Sequence, residues 1–273
     1  MKPSVIISTY NQPLWLEKVL HGYQHQSLTN FELLIADDGS GDATRAVIEN
    51  FKKIARFPIQ HIWHPDDGFQ KTKILNQAIT ASHGDYLIFS DGDCIPRHDF
   101  LATHARLATP GRFLSGAYCK LSQALSAAIC PDDIASGRAF SLPWLRSHGF
   151  RGFSRAVRIA APRKFAPLLD TVTPTKATWN GHNASGWKLD ILAVNGFNET
   201  MQYGGEDREM GERLTHLGIR GRRIRHRAIT LHLDHHRSYA TPEMIRKNLA
   251  IRDAVRASRS VWCPDGILKQ PQP

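Results

Sequence analysis

The sequence predicts an α/β fold built on a mainly parallel central sheet flanked by helices. Three observations predict it. Short β-branched runs alternate with helical-period segments through the first hundred residues, acidic–glycine clusters close those runs, and 273 residues suffice for a large buried core.

Val5–Thr9 is apolar and β-branched, which reads as a buried strand. Leu14 to His25 then repeats apolar residues at helical spacing through Leu14, Trp15, Val19 and Leu20. Phe31–Ala36 is a second strand, closed by Asp37–Asp38–Gly39–Ser40, and Asp42 is placed to cap a helix over Ala43–Ile54. Ile59–Trp63 and Tyr86–Ser90 supply a third and fourth strand, with a helix over Lys73–Ser82 between them. In sheets of βαβ units ligands bind beyond the carboxyl ends of the strands, where the polar clusters fall. From Cys119 to Asn180 the chain is Arg-rich and carries Pro131, Pro143, Pro162, Pro167 and Pro174, so loops and short helices are expected to cover the sheet. Patterning resumes near Gly181 with a strand or helix edge over Ala184–Lys188 and a turn at Asn195–Gly196. A helix from Glu206 to Leu217 follows, with Gly218 as C-cap, then a strand over Ala228–Leu233. Thr241–Pro242 opens a last helix to Ser258.

Hydrophobic residues make up 41% and charged residues 22%, which excludes disordered and fibrous classes. Net charge is +10, and the excess is late: Arg208 to Arg259 holds twelve Arg and one Lys against five acids. Such a balance attracts anions. Four cysteines without a CxxC pair argue against a zinc knuckle or disulfide framework and fit a reducing cytoplasm. The chain enters a strand directly from Met1, and no apolar run approaches the roughly 20 residues that span a bilayer. A soluble or peripheral protein is expected.

Asp91–Gly92–Asp93 is the sharpest chemical signal. Two carboxylates one residue apart at a strand end can face one hard divalent cation such as Mg²⁺ or Mn²⁺, with a diphosphate filling other positions. A polar turn would use the same residues. Asp38 closes the second strand near Thr9–Tyr10–Asn11, where it can hydrogen-bond a base or ribose, although turn roles suit Asp and Gly equally. Asp66–Asp67–Gly68–Phe69 leads to Lys71 and Lys73, which at a helix start can meet phosphate, Lys73 being the more embedded in the expected helix; two solvated surface lysines would fit the same pattern. Gly204–Gly205–Glu206–Asp207 puts paired acids at a helix start, as general base or as caps. His232, His235 and His236 cluster in LHLDHHR, and imidazole suits Mn²⁺ better than Mg²⁺.

VIISTYN, LLIADDGSGDAT and YLIFSDGDC, in that order, resemble the N-terminal half of inverting family 2 glycosyltransferases with the GT-A fold, a Rossmann-like sheet with a mixed C-terminal portion. The run from Gly181 to Gly218 is similar to the C-terminal region of galactosyltransferase-type and chondroitin-polymerase-type enzymes. The resemblance spans residues 3 to 237 and is weakest over 119 to 180. It implies a nucleotide-sugar-binding half at 1–118, an irregular acceptor-side segment at 119–180, a catalytic and acceptor half at 181–240, and a basic helix and tail at 241–273. Thr9, Tyr10, Asn11 and Asp38 would hold the nucleoside. Asp91 and Asp93 would bind the donor diphosphate, Asp93 most directly through Mn²⁺ or Mg²⁺, and His232 would complete the metal set, with His235 close by. Asp207 would be the base, and Glu206 would contact acceptor or donor sugar. Asn183 to Trp187 would line the sugar pocket. Where many relatives place an Arg before the Asn of the third helix, this chain has Leu75–Asn76, and Lys73 is the candidate substitute.

The implied reaction moves a sugar from a nucleotide-sugar donor, UDP by default, to a glycan or glycolipid acceptor with inversion. Bacterial surface polysaccharide or lipopolysaccharide synthesis is the implied setting. The expected location is cytoplasmic, with Arg246, Lys247, Arg252 and Arg256 of the last helix available for peripheral contact with anionic membrane. A sugar-phosphate nucleotidyltransferase should carry a Gly-rich basic loop where Thr9–Tyr10–Asn11–Gln12–Pro13 stands. A nucleic-acid binder lacks a recognisable module here, so no nucleic-acid partner is expected. An inactive sugar-nucleotide-binding or scaffold protein on the same fold would be expected to lose the acidic motifs, which are intact.

Overall fold

The computed structural model describes residues 1–235 and 240–269; His236, grouped with His232 and His235 in the sequence, lies outside the described residues. Strand β1 (Ser4–Thr9) alternates between two apolar layers, Val5 and Ile7 on one face and Ile6 on the other. Burial on both faces explains its unbroken apolar run. Parallel to it lie β2 (Glu32–Asp37), β3 (Ile59–Trp63) and β4 (Tyr86–Asp91). Helices α1 (Pro13–Gln24) and α2 (Asp42–Lys52) cover the first layer through Leu16, Leu20, Ile48 and Phe51. Helix α3 (Lys71–Ala81) covers the second through Ile74, Leu75 and Ala78.

β5 (Cys94–Pro96) and α4 (Phe100–Leu107) lead to β6 (Arg112–Ser115) and β7 (Ala117–Lys120). The middle segment folds as α5 (Gln123–Ala128), α6 (Pro131–Ala135), α7 (Leu142–Ser147), α8 (Phe153–Ala160) and α9 (Ala166–Val172). Pro131, Pro143 and Pro167 stand in the first turns of α6, α7 and α9, where a missing N–H costs nothing. Asp170 of α9 pairs with Arg227 at 2.6 Å and His226 at 3.0 Å, pinning this segment to the strands that follow.

The remaining elements are β8 (Ala184–Trp187), α10 (Lys188–Ala193), α11 (Glu206–His216), β9 (Arg220–Arg223), β10 (Ile229–His232) and α12 (Pro242–Ser258). The large sheet runs β3-β2-β1-β4-β8-β6-β9, with β8 antiparallel to both neighbours, and β5-β10-β7 form a small second sheet. This is the mainly parallel α/β sheet flanked by helices that the strand–helix alternation predicts. It draws strands from both sides of the expected division at residue 118.

Three local expectations shift. Gly41, not Asp42, is the N-cap of α2, and Asp42 instead supplies charge to the first turn. Helix α3 begins at Lys71, two residues earlier than expected. In α12, Arg252 pairs with Glu212 at 2.6 Å and Arg256 with Asp253, so two of the four basic residues expected to face lipid are committed within the protein. No helix among the described residues is long and apolar enough to cross a membrane.

Beneath α11, Arg213 and Glu209 are each 1% exposed and joined by two 2.7 Å hydrogen bonds. Arg213 also donates to the carbonyls of Val194 and Gly196, tying α11 to the turn after α10. Arg213→Met strands the Glu209 charge and the Gly196 carbonyl, while Val194 O keeps Cys263 N–H at 3.3 Å, so it is expected to cost about 3–5 kcal/mol. Urea titration checks this as a lower midpoint at unchanged slope; a loss below about 1 kcal/mol would contradict the assigned role.

Candidate active site

At the end of β4 the chain turns at Gly92, whose N–H donates to Ser8 O at 2.7 Å. A Cβ there would lie 3.0 Å from Ser8 O and from Thr9 Oγ1, a contact so tight that β1 would have to give by a few tenths of an ångström. Asp91 Oδ1 accepts from Ser8 Oγ at 2.7 Å and from Lys71 Nζ at 2.8 Å. Burial opposes the Asp91 charge, but the Lys71 charge and hydrogen bond outweigh it and hold the carboxyl well below its usual range. Burial likewise disfavours the Lys71 ammonium, and Asp91 with Glu206 overcomes it and keeps the proton on.

Asp93 turns the other way. β10 pairs with β5 so that His232 stands opposite Cys94, and Leu233 N–H donates to Asp93 O at 2.8 Å. Asp93 Oδ2 is consequently 2.7 Å from His235 Nε2 and 3.5 Å from His232 Nε2, with the two rings stacked at 13°. One carboxylate and two imidazoles fit Mn²⁺, which accepts both donor types. The ligand atoms of Asp93, Cys94 and His232 lie within 4.8 Å of one another. Burial and the neighbouring aspartates push the Cys94 thiol well up, and a hard cation favours the carboxylate and imidazole donors over sulfur. Of the expected set, Asp93 and His232 come together with His235 beside them, while Asp91 is engaged by Ser8 and Lys71.

Gly204 and Gly205 enter α11 at φ 111° and 90°, a conformation that Gly adopts without strain. Their turn presents Glu206 and Asp207 to the same cleft, whose volume is about 1080 Å³. Asp207 Oδ2 accepts from Gly181 N–H at 3.0 Å and Oδ1 from Arg208 N–H at 2.7 Å. Glu206 accepts from Gly204 N–H at 3.0 Å. Burial raises both carboxyls, with Asp207 lifting Glu206 further, while Lys71 acts against the rise in each. A raised pKa makes Asp207 a stronger base once ionised.

Thr9, Tyr10, Asn11 and Asp38 line the cleft at the ends of β1 and β2. Tyr10 donates to Asp66 at 2.8 Å, and Asn11, at φ 47°, accepts from Gly41 N–H at 3.0 Å. Asp38 accepts from Gln70 N–H at 3.1 Å and lies 2.8 Å from His64 Nε2. Burial raises the Asp38 carboxyl against those partners. Thr9 Oγ1 is buried without a hydrogen-bond partner among the described residues, which leaves it available to a ligand.

Three expected site residues lie elsewhere. Lys73 is exposed on α3 and does not line the cleft. With the helix starting at Lys71, the apolar stripe Ile74, Leu75 and Ala78 continues back to Lys71, at i, i+3, i+4 and i+7. That periodicity was the signal that could have selected Lys71. Asn183 is fully buried, donating at 3.0 Å to the carbonyls of Ala117 and Ala228 and lying 3.1 Å from His104. It fastens the two sheets together. Trp187 packs edge-on to Tyr86 at 5.1 Å, away from the cleft. The lining falls instead to Asn180, Gly181 and His182, just before β8. His182 was not singled out by sequence; burial lowers it to about 4, so it is neutral near pH 7.

Residues 4–114 match the family model for glycosyl transferase family 2, and residues 176–236 match that for the N-terminal domain of galactosyltransferase. The chain is 28% identical over 232 residues to validoxylamine A glucosyltransferase of Streptomyces hygroscopicus subsp. jinggangensis, covering 79% of this chain and 52% of that protein. It is 30% identical over 96 residues to GalNAc(5)-diNAcBac-PP-undecaprenol beta-1,3-glucosyltransferase of Campylobacter jejuni, covering 34% of this chain and 29% of that protein. Among solved structures, mannosyltransferase PcManGT from Pyrobaculum calidifontis, in complex with GDP-Man and Mn²⁺, superposes with a TM-score of 0.63 at 18% identity, covering 96% of this chain and 66% of that one. S. aureus TarS 1–349 with UDP-GlcNAc gives 0.60 at 15%, covering 93% and 66%. The chain thus spans about half the length of the validoxylamine A glucosyltransferase it matches.

Proposed function

We propose, for a chain that belongs to glycosyl transferase family 2 on the GT-A fold and carries a galactosyltransferase-type region, that it moves a sugar from a nucleotide-diphosphate sugar to a glycan or glycolipid acceptor with inversion. The observation that carries this is the meeting of Asp93, His232, His235, Lys71 and Asp207 in one cleft. An inactive scaffold would have no need to keep that arrangement.

Thr9, Tyr10, Asn11 and Asp38 would hold the nucleoside. Asp93, His232 and His235 would hold Mn²⁺ or Mg²⁺, which when bound would neutralise charge growing on the leaving diphosphate. Lys71, protonated beside Asp91, adds positive charge on the same side. Asp207 would take the proton of the acceptor hydroxyl as its oxygen attacks the anomeric carbon opposite the nucleotide. The bond to the diphosphate then breaks and the configuration inverts. Glu206 would contact sugar hydroxyls beside it.

UDP-sugars head the donor candidates, and the GDP-Man and UDP-GlcNAc complexes of the structural neighbours support the donor class. The relative named for an undecaprenol-linked glycan supports a setting in surface-polysaccharide synthesis. A panel of UDP- and GDP-sugars incubated with Mn²⁺ is expected to show slow hydrolysis of one donor. Hydrolysis of none, with no uptake of any nucleotide, would defeat the reading. Lys71→Met is expected to lower the rate on that donor by about 10², and Lys73→Met by less than about twofold. Equal effects would return the role to Lys73.

A further inference from the structure

The cleft also carries a cationic wall that the mechanism above does not use: Arg155, Arg158, Lys176 and Arg225. Arg155 and Arg158 are one turn apart on α8, so both point from the same face. Their far ends are fixed: Arg155 Nη1 donates to Lys120 O at 2.8 Å, and Arg158 Nη1 to Tyr118 O at 2.5 Å, both on β7. Arg225 follows the edge strand β9. The Nε atoms of Arg158 and Arg225 are buried without a hydrogen-bond partner among the described residues. Asp170, the acid that acts on Arg225, is already committed to Arg227 and His226. Burial and the neighbouring Arg158 charge both act against the Arg225 guanidinium, and an anion held by the two would relieve that cost.

The wall is built from other elements than the diphosphate partners, although β7 beneath it runs alongside the β10 strand, with Lys120 opposite His232. Asp93, Asp91 and Lys71 cluster at the ends of β4, β5 and α3, whereas the arginines are carried by α8 against β7 and by the β9 edge. Gly181, which orients Asp207, packs against Lys71 and Asp91, where a Cβ would meet Lys71 Nζ at 3.5 Å. An acceptor whose hydroxyl reaches Asp207 would extend toward the arginines.

We propose that this wall is an acceptor subsite for an anionic group, a phosphate or carboxylate carried by the acceptor and gripped by Arg158 and Arg225. The proposal rests on the sugar-transfer reading and names the class of acceptor it takes.

Wild-type protein held with Mn²⁺ and saturating UDP, so that its diphosphate site is filled, is titrated with four probes: glucose 1-phosphate, methyl glucuronide, inorganic phosphate and neutral methyl glucoside. Either charged sugar is expected to bind at least about tenfold tighter than the neutral one, and the tighter of the two identifies phosphate or carboxylate. Inorganic phosphate binding as tightly as the charged sugars would reduce the wall to a free-phosphate site and overturn the acceptor assignment. The preference should vanish in Arg158→Gln/Arg225→Gln and largely survive in Arg158→Lys/Arg225→Lys, which separates lost charge from lost folding. Equal binding of charged and neutral sugars overturns the proposal. So does a preference that persists in the Gln variant, or loss of UDP uptake there, which would assign the arginines to the donor. If wild type takes up no UDP, GDP takes its place in the titration; if it takes up neither, the sugar-transfer reading fails instead, and the charged-versus-neutral comparison without nucleotide still decides the wall.

Discussion

Asp207→Asn is expected to lower turnover by about two to four orders of magnitude while leaving metal-assisted nucleotide uptake unchanged. Asn has the same shape, and its side-chain oxygen can still accept from Gly181 N–H, now at 3.0 Å from Asp207. What it loses is the capacity to take a proton. The pH profile gives a second reading. Burial raises the Asp207 carboxyl, and only the ionised form can act as base, so the rate should fall as pH drops through a value above that of an ordinary aspartate. Asp207→Glu should keep an acid limb and Asp207→Asn should have none. Near-normal turnover in the Asn variant would remove Asp207 from the chemistry.

Asp93→Ala is the second large effect. Asp93 is the only carboxylate among the described residues that meets both His232 and His235. Its removal should weaken Mn²⁺ uptake by about 10² or more, since losing even an indirect partner of a metal ligand costs tenfold to a hundredfold. Turnover should fall at least as far. His232→Ala and His235→Ala should each weaken uptake less, because the carboxylate and one imidazole remain. If the Ala variant at 93 binds Mn²⁺ as the wild type does, the metal lies elsewhere.

Much of the fold was legible because its periodicities are local. β1 to β4, the turn at Asn195–Gly196 and the Thr241–Pro242 helix start follow from apolar spacing and from Gly, Pro and Thr chemistry, and they stand within a residue or two of expectation. The acidic motifs were legible for the same reason, since each closes its own strand or opens its own helix. Partnerships made by sheet pairing were not. Nothing local shows that β10 pairs with β5 in the register that brings His232 and His235 to Asp93. Nor does local pattern show that Asn183 serves as a strut between sheets. Lys73 was preferred to Lys71 because the helix start was set two residues late, a small boundary shift that rotates a side chain by about 200°. The arginine wall drew residues from three separated segments, so only packing reveals it.

The most direct test of the account is a Mn²⁺ titration followed by the paramagnetic resonance signal of the free ion, with and without UDP or GDP. Protein plus one nucleotide diphosphate should quench the signal to one ion per chain, and Asp93→Ala should abolish the quenching. A signal unaffected by protein in the presence of either nucleotide would contradict a metal-assisted sugar-nucleotide site in this cleft.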